Sequence, residues 1–324
     1  MENLLKEINI NEIKGFKIGH AQNIDGATGC TAIICENGAF AGVDVRGGGP
    51  ATRETDLLKS ENMIQQIHAV MLSGGSAYGL DAASGAMAYL EEKNIGFNVG
   101  VGVVPIVCGA SLFDLVVGDC KCRPDKTMGY EACVNAEKNT PEQGNVGAGT
   151  GASVGKFLGP DRMMKSGIGI YAVELGDIQC GAIVAVNALG DVFDFESGEK
   201  LAGILTEDKK SLDDTERLVY AEIASKRNVF SGNTTIGCVI TNAKLSKAQL
   251  NKMASICHDG YARAIKPVHT SADGDSIFVM STGEIEASPD GVSTLATYVV
   301  SKAIKNAVIN AESAYGLKAA KDIR

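Results

Sequence analysis

Gly232-Asn-Thr-Thr-Ile-Gly-Cys-Val-Ile-Thr241 turns abruptly apolar and β-branched after a long charged segment. Val, Ile and Thr are stiff at χ1 and favour an extended chain, and a run this apolar reads as a strand buried on both faces. Such a strand needs other layers above and below it, which points to a layered mixture of sheet and helix. Just upstream, Asp194 to Arg227 carries Glu207-Asp-Lys-Lys210 and Asp213-Asp-Thr-Glu216. That pattern fits a solvated helix and a flexible linker equally well.

Working outward, the sequence predicts a helix over Ser246 to Ala264, a strand over Ser276 to Met280 and a long helix from about Pro289 to Ser313. Upstream, Gly167 to Leu175 and Ile178 to Ala188 read as two strands joined at Gly176-Asp177. His68-Ala-Val-Met-Leu72 reads as a buried strand leading into Ser73-Gly-Gly-Ser76 and a helix from about Ala77 to Glu92. Residues 125 to 138 read as helical. Near the start, Thr31 to Cys35, Glu36-Asn-Gly38 and Ala39 to Val45 predict a hairpin, because Asn-Gly between apolar runs favours a tight turn. Antiparallel pairs interleaved with helices make the class α/β or α+β, with two layers of sheet flanked by helices.

Composition narrows the function. Of the 324 residues, 45% are hydrophobic and 21% charged, which is ordinary for a globular chain. The net charge of −9, with no clustered Lys and Arg, speaks against a nucleic-acid partner. MENLLKEINI lacks the apolar core of a signal peptide, and runs such as Val101 to Val107 are too short to span a bilayer. The expectation is a cytoplasmic chain with no membrane partner. Nine cysteines show no paired zinc spacing and four histidines form no HExxH, so no metal is expected.

Two glycine motifs mislead. Gly151-Ala-Ser-Val-Gly155-Lys156 suggests a phosphate loop, but Thr150 stands where its first glycine belongs and Phe157 where a magnesium-binding hydroxyl belongs. Gly147-Ala-Gly149-Thr-Gly-Ala152 matches a relaxed dinucleotide fingerprint, yet Thr140-Pro-Glu-Gln-Gly144 before it is no strand. No nucleotide cofactor is expected, and a plain glycine turn explains the spacing. Lys156 remains notable as one cation in a loop of small residues.

Asn233-Thr234-Thr235, taken alone, reads as a turn entering a strand, as a glycosylation sequon or as a pair of exposed hydroxyls. In its context the chain resembles the DmpA family, the L-aminopeptidase D-Ala-esterase/amidases and β-peptidyl aminopeptidases. Within that family its motifs look especially similar to those of the 6-aminohexanoate-oligomer (nylon-oligomer) hydrolases. The resemblance rests on Gly42-Val-Asp-Val-Arg-Gly-Gly-Gly-Pro50, Ser73-Gly-Gly-Ser-Ala-Tyr-Gly-Leu80, Gly147-Ala-Gly-Thr-Gly151, Gly232-Asn-Thr-Thr235 and His269-Thr-x-x-Asp-Gly-Asp275. It runs from Gly19-His20 to the last helix, and several long motifs in order make it specific.

The resemblance implies a four-layer αββα sandwich like that of N-terminal-nucleophile hydrolases, with DmpA-type connectivity. It implies one catalytic domain, 1–324, cut between Asn233 and Thr234 into 1–233 and 234–324. Thr234 is then the nucleophile, with Asp273 and Asp275 orienting it. Two carboxylates two residues apart on a strand share one face, although an Asp-Gly-Asp surface turn has the same sequence. Lys156 matches a catalytic lysine and Asn187 an oxyanion-hole amide, where the plain alternatives are a solvated lysine and a strand-end turn. Arg46, Ser76 and Tyr78 are assigned to the substrate pocket. The implied reaction is cofactor-free hydrolysis of a small-molecule amide, short peptide or β-peptide by a homo-oligomer, commonly a tetramer. The alternatives are a 6-aminohexanoate-oligomer hydrolase and a non-catalytic binding protein of the same fold.

Overall fold

Ten strands form one hydrogen-bonded network in the computed structural model, which describes residues 4–225 and 232–323. They are β1 (Lys6–Glu7), β2 (Lys17–Asn23), β3 (Thr28–Val45), β4 (Thr52–Arg53), β5 (Gln66–Ser73), β6 (Val107–Ser111), β7 (Ile168–Leu175), β8 (Ile178–Asn187), β9 (Thr234–Lys244) and β10 (Ser276–Glu286). Their order is β1-β7-β8-β9-β10-β3-β5-β6-β4, with β2 also on β3. The pairs β9–β10 and β5–β6 are parallel and the others antiparallel. The helices are α1 (Ala82–Glu92), α2 (Lys126–Ala136), α3 (Thr215–Ser225), α4 (Lys247–Ala264) and α5 (Pro289–Ile309).

The long strand β3 explains how one network makes two layers. Its first half pairs with β2 and β5, and Phe40–Val45 pairs with β10. The predicted hairpin at Glu36–Gly38 is therefore corrected. Those residues lie inside a continuous strand, where the register with β5 shifts between Ile34 and Ala39. Gly38, at φ +79°, supplies the left-handed residue that such an irregularity needs. Asn-Gly satisfies a bulge as readily as a turn, and the separate partners of the two halves keep the strand extended.

Three hydrophobic cores separate four layers. Alternate residues of β9 point opposite ways, as the two-residue period of a strand requires. Ile236, Cys238 and Ile240 enter the middle core with Ile33, Val70, Leu72, Ile183 and Phe278. Val239 and Ala243 face the outer core formed with Leu250, Met253 and Tyr261 of α4 and Val299, Val300 and Ile304 of α5. On the far side, Ala32, Ile34, Ala69 and Met71 pack against Ala86, Leu90 and Ala132 of α1 and α2. The order is thus α4/α5, sheet, sheet, α1/α2. With both faces covered, each central strand reads as a continuous apolar run.

The charged stretch after β8 is folded through residue 225. Strand Lys200–Ala202 pairs with Asp191–Phe193, and α3 follows. Buried Asp191 pins it, accepting from Ile204 N (2.9 Å), Thr215 N (2.9 Å), Thr215 Oγ1 (2.6 Å) and Lys200 Nζ (2.9 Å). Of the stretch left open from sequence, residues 226 and 227 lie outside the described residues. No helix among those described is long and apolar enough to cross a membrane.

Candidate active site

Thr234 is the first residue of β9 and is almost fully buried, at 4% exposure. Its Oγ hydrogen-bonds the carbonyl oxygen of Asn233, the residue before it. That oxygen also accepts the backbone N–H of Gly274 at 2.9 Å. Asn233 and Asp273 form an isolated parallel bridge, which lays the junction against the Thr270–Asp275 turn. A hydroxyl and a polarised carbonyl are thereby held together inside the protein.

The glycines of two motifs make this approach possible. A Cβ on Gly274 would lie 2.7 Å from Thr234 Oγ1 and 2.9 Å from the Gly49 carbonyl oxygen, both closer than real Cβ contacts allow. A Cβ on Gly47 would lie 2.2 Å from the Asp273 carbonyl oxygen. The Arg46–Gly49 loop runs against the turn through Gly49 N to Asp273 O (2.8 Å) and Arg46 N to Asp275 O (2.9 Å).

Asp273 and Asp275 precede β10 rather than lying on it, so their convergence comes from a turn and not from strand alternation. One oxygen of Asp273, Oδ2, takes Thr270 N–H at 2.7 Å and Thr270 Oγ–H at 2.6 Å. Asp275 takes Thr235 N–H at 2.7 Å on Oδ1, while Oδ2 meets His269 Nδ1 at 2.8 Å and His269 N at 3.2 Å. Burial, then the charge of Asp275, pushes Asp273 up to about 6 against the Thr270 hydrogen bonds and Lys156.

Lys156 reaches the same site from the glycine loop and is not solvated, at 3% exposure. Its Nζ donates to Asn187 Oδ1, which also takes Ser153 N–H at 3.1 Å. Asn187 Nδ2 donates to the Phe113 carbonyl at 2.8 Å. An amide nitrogen carries two protons, so this bond uses one of them. Burial pulls Lys156 down to about 7, opposed by Asp114 and Asp273 and assisted by Lys165.

The three residues assigned to the pocket are placed differently. The guanidinium of Arg46 is turned to Asp44 Oδ2 (3.1 Å) and to Ser255 O and Oγ (both 2.7 Å), so the loop meets the turn through its backbone. Tyr78 is 62% exposed and stacks under Arg123, whose guanidinium carbon is 3.7 Å from the ring centre. Ser76, at φ +54°, donates its N–H to Leu112 O at 2.9 Å, one residue before Phe113. A small, largely apolar pocket beside the junction is lined by Phe113, Val116, Lys156, Gly159, Pro160, Met163 and Gly232.

Several residues at the site escaped the sequence reading. His269 opens the motif that carries the two carboxylates, and its contact with Asp275 was signalled only by that proximity. Gly274 stands between the two carboxylates, but glycine carries no chemical signal. Asp114 and Lys165 lie far from any motif and reach the site through the fold alone.

Comparison with known proteins gives the family. The model of peptidase family S58 matches residues 9–321. An uncharacterized aminopeptidase of Mycobacterium leprae is 38% identical, covering 95% of this chain and 92% of the relative. A 6-aminohexanoate-oligomer endohydrolase of Kocuria sp. is 31% identical, covering 85% of this chain and 75% of the relative. The structure of the L-aminopeptidase D-Ala-esterase/amidase of Ochrobactrum anthropi, described as a new variant of the Ntn hydrolase fold, superposes with a TM-score of 0.69. It is 18% identical, with 93% of this chain and 86% of that one covered, and it shows that the fold is shared. Matched over nearly its whole length, the chain belongs to peptidase family S58 and is a hydrolase of amide bonds.

Proposed function

We propose that the chain cuts itself between Asn233 and Thr234, and that the freed Thr234 then hydrolyses short peptides, β-peptides or amino-acid amides through an acyl ester. The observation that carries this reading is the Asn233 carbonyl oxygen, which accepts both Thr234 Oγ–H and Gly274 N–H. Thr234 Oγ attacks the Asn233 carbonyl carbon while the Gly274 N–H steadies the developing oxyanion. The C–N bond breaks, the peptide nitrogen becomes the α-amine of Thr234, and water hydrolyses the ester. Until that happens the nitrogen is an amide and cannot take the hydroxyl proton. Lys156, drawn down to about 7, is the amine at this site that can.

After cleavage the α-amine, which titrates near ~7.7–8.0 in the absence of neighbours, is placed to act as the base. Asp275 holds the nucleophile's strand by Thr235 N–H, and Asp273 sits across the bridge from Asn233. The second Nδ2 proton of Asn187 is the side-chain donor offered to substrate. Arg46, Ser76 and Tyr78 remain candidates for the outer substrate surface. Family resemblance adds assembly into a homo-oligomer, commonly a tetramer. A second reading, hydrolysis of 6-aminohexanoate oligomers, is favoured by the endohydrolase from Kocuria.

Denaturing mass spectrometry of freshly purified protein, paired with turnover of an amino-acid p-nitroanilide, tests the proposal. Two fragments meeting at Asn233–Thr234 and measurable turnover are expected. An intact chain with full hydrolytic activity sinks it.

A further inference from the structure

The Gly147–Lys156 segment has the composition of a phosphate cradle, but it is turned the opposite way. A phosphate loop aims backbone N–H groups at an anion. Here the backbone aims carbonyls at a cation. Lys165 Nζ donates to Gly149 O at 3.0 Å, to Ala152 O at 3.0 Å and to Ser166 O, and the side chain is fully buried. Three acceptors around one nitrogen call for three N–H donors. A neutral amine has two and would aim its lone pair at the third oxygen, whereas an ammonium has three. The geometry selects the charged form. Burial opposes this and pulls Lys165 down, while the Asp114 carboxylate and the three carbonyls hold its proton in place.

The same loop leads from Lys165 to Lys156. Lys165 is the Cα partner of Ser153 in the short ladder of residues 153–154 and 164–165. Ser153 N–H and Lys156 Nζ then share Asn187 Oδ1 as acceptor. Among the described residues, the charges acting on Lys156 are Asp114 and Asp273, which favour its proton, and Lys165, which disfavours it. Asp114 acts on both lysines, and its carboxylate also takes Thr28 Oγ–H and Gly75 N–H, each at 2.7 Å. In a dry site two ammonium groups compete for that carboxylate. The one enclosed by three carbonyls keeps its proton.

We propose that Lys165 is a positioning residue for self-cleavage: its carbonyl-locked ammonium shapes the glycine loop and keeps Lys156 as the neutral amine that takes the Thr234 hydroxyl proton. The proposal rests on the reading of Thr234 and Lys156 given above. The proton moves from Thr234 Oγ to Lys156 Nζ as the bond from Oγ to the carbonyl carbon forms. It passes on to the departing nitrogen of Thr234 as the C–N bond breaks.

The test follows self-cleavage of the full chain, made by cell-free translation, shifted to a series of pH values and sampled by denaturing mass spectrometry. Wild type, Lys165→Met, Lys165→Gln, Lys165→Arg and Asp114→Asn are compared; the Gln variant keeps two N–H donors for the carbonyls but no charge. The rate of the wild type rises with pH through about 7, where Lys156 loses its proton. Removing the neighbouring cation raises the affinity of Lys156 for its proton, so the Met and Gln variants shift this rise upward, by less than Asp114→Asn shifts it downward. Asp114→Asn removes an anion that favours the Lys156 proton and shifts the rise downward. Lys165→Arg keeps the cation and leaves the rise in place, so a shifted rise in that variant overturns the proposal if the uncharged variants fail to fold. A purely structural role for Lys165 slows cleavage and leaves the rise in place in the Met and Gln variants, and that result overturns the proposal alone. A wild-type chain that never cleaves itself overturns both the proposal and the reading beneath it.

Discussion

Asn187 and Thr234 are direct Cα partners across the antiparallel ladder between β8 and β9. Partners across a ladder present their side chains to the same face. Here that face is the one that buries Ile183 and Ala185 of β8 and Ile236 and Cys238 of β9 between the two sheets. The last pair of the ladder lies where this middle core gives way to the Phe113 carbonyl and the Lys156 side chain. The same pattern that buries apolar residues along the strands thus delivers an amide and a hydroxyl together at their ends.

For Asn187 this register predicts a specific kinetic signature. Asn187→Ala removes the Nδ2 donor, together with the Oδ1 acceptor of Lys156 Nζ and Ser153 N–H, while leaving the main-chain ladder intact. A lost oxyanion donor lowers kcat by about 10²–10³-fold and changes KM little. Steady-state kinetics on the processed enzyme with an amino-acid p-nitroanilide measures both. An equal activity in the variant would remove Asn187 from the chemistry.

The hydroxyl itself is tested by a pair of variants. Thr234→Ala has no nucleophile for either reaction and is expected to remain a single chain without turnover. Thr234→Ser keeps the hydroxyl and loses only a methyl group, so it is expected to yield both fragments. Denaturing mass spectrometry reads the two outcomes directly, and fragments from Thr234→Ala would move the nucleophile elsewhere.

Gly274 makes a prediction with no functional side chain at all. Its missing Cβ leaves room for Thr234 Oγ1, and its N–H meets the Asn233 carbonyl. Gly274→Ala forces the turn and the junction apart by several tenths of an ångström. Because displacement at a reacting centre costs heavily, self-cleavage is expected to slow by at least about tenfold. Circular dichroism should show the fold retained while mass spectrometry shows precursor persisting. Cleavage at the wild-type rate would mean that the close approach of Gly274 to Thr234 carries no importance.

Much of the fold was legible because the central strands bury both faces and the helices carry regular apolar stripes. The strand expected over Ile178 to Ala188 runs from Ile178 to Asn187, and the helix expected over Ser246 to Ala264 begins at Lys247. The hairpin expected at Asn37-Gly38 failed for a physical reason. Whether Asn-Gly turns a chain or bulges a strand depends on the partners of the flanking residues, and those partners lie far away in sequence. The site divides in the same way. Thr234, Asp273 and Asp275 stand in short motifs that single them out, as does Lys156, the odd cation in its loop. Asp114 and Lys165 have no local signature, since their importance comes from being buried together near Lys156. Arg46 shows the converse, a residue in a strong motif whose charge is spent on α4.

Asp273 gives a stability prediction whose sign follows from its environment. Burial and the charge of Asp275 raise it from 3.8 to about 6 in the folded protein. The unfolded chain therefore releases this proton first as pH rises. A group raised in this way contributes stability that is present below about 3.8 and is lost as pH climbs through about 6. Asp273→Asn removes the titration but keeps an oxygen for both Thr270 donors, which bind the single oxygen Oδ2. The variant is expected to gain about 2 kcal/mol over wild type at pH 7–8, and little at pH 4. Chemical denaturation of a Thr234→Ala background at the two pH values, where neither chain is cut, isolates the effect. A gain of equal size at both values would show that the ionisation of Asp273 is not what strains the site.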